Sequence, residues 1–111
     1  MVYNYKITNS AYDDIDRALD YIANKLFNVK SAKKLYDEIY SEIRKICTEE
    51  VYTKDCSNYG IYDETIRRIN AKRYILILKI DKKNKLITIL RLLHETQDIE
   101  KILKNIDIDL Q

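Results

Sequence analysis

Apolar residues change rhythm several times along this chain. VYNYKI, residues 2–7, alternates as a short, half-buried strand does. Ile15, Ala18, Leu19, Ile22 and Leu26 then recur at helical spacing. Asn9 or Ser10 is placed to cap that helix, and Ser10 with Asp13 resembles a capping box with Asp in place of the usual Glu. Asp13, Asp14, Asp16 and Asp20 put negative charge in its early turns, where the helix dipole favours it. FNVKS interrupts the pattern, and a second stripe follows: Ala32, Leu35, Tyr36, Ile39, Ile43 and Ile46. Two amphipathic helices joined by so short a break predict an antiparallel helical hairpin.

Periodicity is lost between Thr48 and Asp63, around the sole glycine, Gly60, so this stretch reads as an ordered crossing from helix to sheet. TIRRI, RYILILKI and LITILRLL are then separated by short polar turns at Asn70–Lys72 and DKKNK, the pattern of an antiparallel meander. The strand at 74–80 is apolar on both faces, with Tyr74, Leu76, Leu78 and Ile80 on one and Ile75 and Ile77 on the other, so it needs a second cover. Ile99, Ile102, Leu103 and Ile106 fit a short terminal helix that supplies part of that cover, with a partner supplying the rest. The expected fold class is α+β: an N-terminal strand, a helical hairpin packed on a small antiparallel sheet, and a short C-terminal helix. With 111 residues, 1–111 is expected to be one domain.

Composition narrows the class without choosing a function. Hydrophobic residues make up 46% and charged residues 34%, which argues against wholesale disorder. The longest apolar run, YILILKI, is too short for a membrane-spanning helix, and MVYNYK lacks the layout of a signal peptide. Cys47 and Cys56 lack zinc-ligand or redox spacing, so no metal site and no cofactor are expected, and two reduced thiols suit a cytoplasmic protein. The net charge of +2 hides a strong local bias: residues 67–85 hold eight Lys and Arg against Asp81 alone. Such a segment suits nucleic acid or an acidic partner, or merely solubilises turns and sheet edges.

Candidate chemistry gathers near the end of the last strand. Simple alternation puts Ile87, Ile89, Arg91 and Leu93 on one face and Thr88, Leu90, Leu92 and His94 on the other. Arg91 thus interrupts an apolar row, which is costly unless it is paired or lines a functional surface. Arg67 and Arg68 point to opposite faces, and the basic residues are expected to converge around the open side and end of the sheet. Cleavage of RNA by its own 2′-hydroxyl needs a base, an acid and a cation for the phosphorane. His94, the sole histidine, could serve as base or acid, with Arg67, Arg68, Lys72, Arg73 or Arg91 as the cation. A histidine ending a strand is equally an ordinary structural residue. One histidine and one glycine leave no room for HExxH, triad or phosphate-loop schemes.

Three stretches carry a family resemblance: AYDDIDRALDYIANKL, AKKLYDEIYSEIRKI and above all IRRINAKRYILILKIDKKNKLITILRLLHETQDIEKIL. Together they resemble the RelE/ParE superfamily of toxins from type II toxin–antitoxin modules, also called plasmid stabilization proteins. RelE-like members are ribosome-dependent mRNA endoribonucleases, with an arginine after the aromatic that opens the Tyr-led strand and a catalytic aromatic or histidine in the tail. Here Ile75 follows Tyr74, no aromatic occurs after Tyr74, and HETQD has no Lys or Arg. ParE-like members poison DNA gyrase and end their last strand with R-x-L-H-x-x-x-D, as Arg91, Leu93, His94 and Asp98 do. The resemblance therefore implies a ParE-like toxin that binds gyrase and is neutralised by a cognate antitoxin, with operator DNA bound only through the antitoxin. Target or nucleic-acid contact then falls to Arg67, Arg68, Lys72, Arg73, Arg91 and His94. A RelE-like nuclease acting on ribosome-bound mRNA, with His94, Arg91 and Arg68 catalytic, is the alternative, and a non-toxic binding module of the same fold is a third.

Overall fold

The computed structural model describes residues 2–49 and 53–104. Strand β1 (Asn4–Ile7) leads into helix α1 (Asn9–Asp20), which widens into a π-helical turn over Tyr21–Lys25 before helix α2 (Val29–Thr48) runs back. The crossing contributes a two-residue strand β2 (Lys54–Asp55) and a 3₁₀ turn (Ser57–Tyr59). Strands β3 (Ile66–Ala71), β4 (Tyr74–Asp81) and β5 (Leu86–His94) and helix α3 (Ile99–Lys104) complete the order. Ile106, expected in the terminal helix, and residues 50–52 of the crossing lie outside the described residues.

The helix starts where a side chain can meet a free N–H. The cap of α1 is Thr8, one residue before either expected candidate, and Ser10 and Asp13 lie inside the helix. Thr8 is extended, its Oγ1 accepts from the Ala11 N–H at 3.1 Å, and the same hydroxyl donates to the Leu90 carbonyl at 3.0 Å. One threonine therefore caps the helix and ties it to β5. In α2 the Asn28 side chain accepts from the Ser31 N–H, and Ala32, Leu35, Ile39, Ile43 and Ile46 are buried as their spacing predicts. Tyr36 is the exception: it sits at the edge of the stripe, exposed, with its ring 4.8 Å from that of Tyr40.

The five strands form one sheet in the order β1-β5-β4-β3-β2. β3, β4 and β5 make the expected antiparallel meander, but β1 pairs parallel with β5, so the sheet is mixed. Alternation in VYNYKI marks a strand without carrying its direction; the two intervening helices return the chain to the sheet through a crossing instead of a hairpin.

Both faces of β4 are covered. Leu76 and Leu78 pack with Ile87, Ile89 and Leu92 against Ile15, Leu35, Ile39 and Ile43 of the hairpin. Ile75 and Ile77, with Leu90 and Leu93, pack against Ile99 and Leu103 of α3 and against Cys56, Tyr59 and Ile61 of the crossing. Burying each such aliphatic side chain is worth about 1.5–3 kcal/mol, which explains why the irregular segment folds back over the sheet. The crossing thus supplies part of the cover that the sequence left to a partner. No described helix is long and apolar enough to cross a membrane.

Candidate functional site

The last strand does not keep the simple alternation. Ile77 pairs with Arg91 and Leu78 with Ile89, leaving Leu90 as an extra residue in a β-bulge. Beyond it Leu92 joins Ile87 and Ile89 on the hairpin face, while Leu90 and Leu93 share the other face. The expected facing therefore holds up to Leu90 and fails beyond it. A bulge re-aims the side chains that follow it, and here Arg91 reaches the carboxylate of Asp14 on α1.

Four hydrogen bonds meet on that carboxylate. Arg91 donates from Nε to Asp14 Oδ2 at 2.7 Å and from Nη2 to Oδ1 at 3.0 Å. The Leu92 N–H donates to Oδ2 at 3.0 Å, and Arg17 Nη2 to Oδ1 at 3.0 Å. β1 ends at Ile7, opposite Ile89, so the edge of β5 beyond it would leave the Leu92 N–H without a strand partner. Asp14 takes that role while neutralising Arg91. The hydrogen bonds that Arg91 donates to Asp14 push its pKa above its ordinary value despite partial burial, so the guanidinium is charged at every physiological pH. Its Nη1 edge is not engaged by Asp14.

Arg91 lines a cleft of about 920 Å³ between the helical hairpin and the end of the sheet. Leu35 and Leu92 form its floor, Tyr21 and Ile22 of the π-helical turn one wall, and Lys72, Arg73 and Tyr74 of the β3–β4 corner the other. Arg17 and Lys34 add cations from the helices, so five Lys and Arg surround the single carboxylate Asp14. His94 closes the far end, opposite Tyr74 in the ladder and edge-on to its ring at 5.0 Å.

Each residue of HETQD makes a hydrogen bond in the turn after β5 or beside it. The Thr96 N–H donates to His94 Nδ1 at 3.2 Å, with Thr96 Oγ1 2.7 Å from the same nitrogen. Both contacts fall on Nδ1, so the turn does not engage Nε2. Gln97 Oε1 accepts from the His94 N–H at 2.6 Å. Glu95 pairs with Arg73 Nε at 2.7 Å, and Asp98 Oδ1 accepts from the Lys101 N–H at the start of α3. Arg91, His94 and Asp98 are thus a strand-to-helix corner: one anchors α1, one ends the strand, one caps α3.

The sequence candidates do not all converge. Lys72, Arg73, Arg91 and His94 share the cleft, whereas Arg67 and Arg68 are absent from its lining. Arg67 donates to Thr53 Oγ1 and to the Thr53 carbonyl at 3.0 and 2.7 Å. Arg68 donates to the Asp55 carbonyl at 2.8 Å and lies 5.5 Å over the Tyr59 ring. Both hold the crossing to β3, two strands away from β5, so the basic segment is divided by the sheet. Lys79 and Lys82 belong with Arg67 around a separate depression. Asp14, Arg17 and Lys34 were not singled out by the sequence; its one signal was that Arg91 needed a partner. Among the described residues no group of His, Cys, Asp or Glu could hold a metal ion.

A hairpin laid on a mixed five-stranded sheet is a fold shared with chains of two solved toxin–antitoxin assemblies. The chromosomal ParDE toxin–antitoxin system of P. aeruginosa contains a chain with a TM-score of 0.60 and 18% identity, the match covering 84% of this chain and 96% of that one. The toxin–antitoxin complex RelBE2 of Mycobacterium tuberculosis contains another, with a TM-score of 0.53 and 14% identity over 85% and 99%. No curated protein matches the chain. The family described as ParE toxin of type II toxin–antitoxin system, parDE, matches residues 5–99, and the chain belongs to that family.

Proposed function

We propose that this protein inhibits growth by binding DNA gyrase, without covalent chemistry of its own, and that a cognate antitoxin neutralises it in the cytoplasm. Operator DNA is contacted through the antitoxin. The observation that carries this reading is the turn that engages His94: its Nδ1 accepts from the Thr96 N–H and lies against Thr96 Oγ1, which withdraws that nitrogen from a substrate. The cleft's carboxylate is saturated by Arg91, Arg17 and Leu92, so Asp14 is not free to act as a base for a 2′-hydroxyl. Contact with the target falls to Lys72, Arg73, Arg91 and His94, while Arg67 and Arg68 anchor the crossing.

The rival reading, a ribosome-dependent mRNA endoribonuclease, draws support from one observation: Arg91 and His94 line the same cationic cleft. Two cell-free assays with purified protein separate the readings. Inhibition of gyrase supercoiling with intact translated mRNA is the expected result, and Lys72→Glu with Arg73→Glu should reduce it at least about tenfold. Codon-positioned cleavage in primer extension, with gyrase unaffected, overturns the proposal. Inactivity in both assays overturns it in favour of a non-toxic binding module.

A further inference from the structure

At the opposite end of β4 and β5 from the cleft lies a lysine surface that the proposed function leaves unused. Lys6 of β1, Thr88 of β5 and Lys79 of β4 are neighbours across the ladder. Ile87 and Ile89 turn to the hairpin, so Thr88 and these two lysines take the other face. Strand spacing puts Lys6 and Lys79 about 10 Å apart at their backbones. Lys82, Lys83 and Lys85 follow in the β4–β5 turn, exposed as Lys6 is. Among the described residues none of the five pairs with a carboxylate. Asp63 and Asp81, whose charge Lys79 feels, are committed to their own turns. Asp81 accepts from the Asn84 N–H and Nδ2 at 3.0 and 2.8 Å, and Asp63 from the Thr65 N–H at 2.9 Å. Lys85 holds φ +51°, the left-handed region that favours Gly or Asn. A turn that keeps a lysine there, against its backbone preference, is suited to presenting charge.

We infer that this end of the sheet contacts the phosphate backbone of duplex DNA without reading its sequence. The exposed apolar residues Tyr12, Tyr21, Leu26, Phe27, Val29 and Tyr36 belong to the helical hairpin. The lysines therefore surround no apolar centre of the kind a protein partner needs. Ammonium groups on flexible stems suit phosphates, whereas base edges are read by Arg, Asn or Gln. Asn84, the one amide of the turn, is spent on Asp81. Pairing with β3 stops at Lys79 and pairing with β1 at Leu86, so β4 and β5 end as a two-stranded tip. Such a tip fits the major groove of B-DNA, about 12 Å wide, while the major groove of A-form RNA is too narrow for it. Operator recognition stays with the antitoxin, because this surface carries no sequence readout. The inference goes beyond the gyrase reading and does not depend on it.

The test is a fluorescence-anisotropy titration of the full chain with a short labelled DNA duplex of random sequence, repeated over a range of salt concentrations. Log affinity should fall linearly with log salt, with a slope of about −3 to −4.5 for four or five lysines. Lys82→Gln with Lys83→Gln should weaken binding at least about tenfold and make the slope shallower by about 2, with an unchanged circular-dichroism spectrum. Lys25→Gln with Lys30→Gln removes the same charge from exposed positions of the helical hairpin and should change affinity less than about twofold. An RNA duplex of the same sequence and polyglutamate, each added as unlabelled competitor, should displace the DNA poorly. Absence of binding, equal weakening by the two double variants, or ready displacement by either competitor overturns the inference. The titration contains no gyrase, so its failure and that of the supercoiling assay are separate outcomes.

Discussion

Asp14 and Arg91 are 77 residues apart in the chain and form the polar centre of the molecule. Asp14 is 5% exposed at its side chain and Arg91 22%, so removing either strands a charge that water reaches poorly. Asp14→Ala also leaves the Leu92 N–H without its acceptor. The expected cost is about 2–3 kcal/mol in urea unfolding. Arg17 binds the same carboxylate but is 71% exposed, and Arg17→Ala should cost no more than about 0.5 kcal/mol. Equal effects of the two changes would mean that Asp14 is not the buried anchor described. His94 Nδ1 is occupied by Thr96, so of its two ring nitrogens only Nε2 is left for a partner in the cleft. His94→Gln keeps an N–H donor at that position and should therefore retain gyrase inhibition, where a general base would lose its function.

Two features of individual elements turn on local backbone geometry. Thr8 satisfies an N–H of the first turn of α1 and a carbonyl of β5 at once. Thr8→Ala should lower stability by about 1–2 kcal/mol, more than an isolated cap, while Ser10→Ala, within the helix, should be near neutral. Phe27 poses the opposite case, since its left-handed backbone is a cost with no folded-state return. Phe27→Asn should raise stability by about 0.5–1 kcal/mol, because Asn tolerates that region better. Thermal melts of the two proteins check that gain. The bulge at Leu90 belongs to the same scale, since one inserted residue turns Leu92 to the hairpin face and Leu93 to the other.

Across the whole molecule, burial and turns set opposite limits on pH. Burial pushes the Cys47 and Cys56 thiols above their ordinary value of 9.0, and pushes Tyr40 and Tyr74 up as well. The unfolded chain therefore loses these protons first, so the stability they contribute is complete below about pH 9 and falls as the pH rises further. Side-chain and backbone hydrogen bonds from Ser57, Thr65 and Asn84 hold Asp55, Asp63 and Asp81 below the usual 3.8. Their contribution is present above that value and is lost as the pH falls through the lower folded values. Thermal melts should accordingly show a plateau at neutral pH with declines on both sides. Alkylation of the two thiols at neutral pH should be slow until the protein unfolds.

The sequence by itself determined which segments are helix and which are strand, because periodicities of 3.6 and 2 are written in consecutive residues. It marked β4 as doubly buried for the same reason, and the motif Arg91, His94 and Asp98 pointed to the family before any coordinate did. The parallel pairing of β1 with β5 was not legible, since strand direction comes from the path of the intervening chain. The facing of Leu92 and Leu93 was lost to a bulge, which changes the count by one residue without changing composition. Tertiary structure alone decided the site. It joined Asp14 to Arg91 across the sheet edge left open where β1 stops, and it parted Arg67 and Arg68 from Lys72 and Arg73. Charges close in sequence separated because Lys72 and Arg73 sit in the β3–β4 corner at the end of the sheet, whereas Arg67 and Arg68 lie within β3 and are held to the crossing.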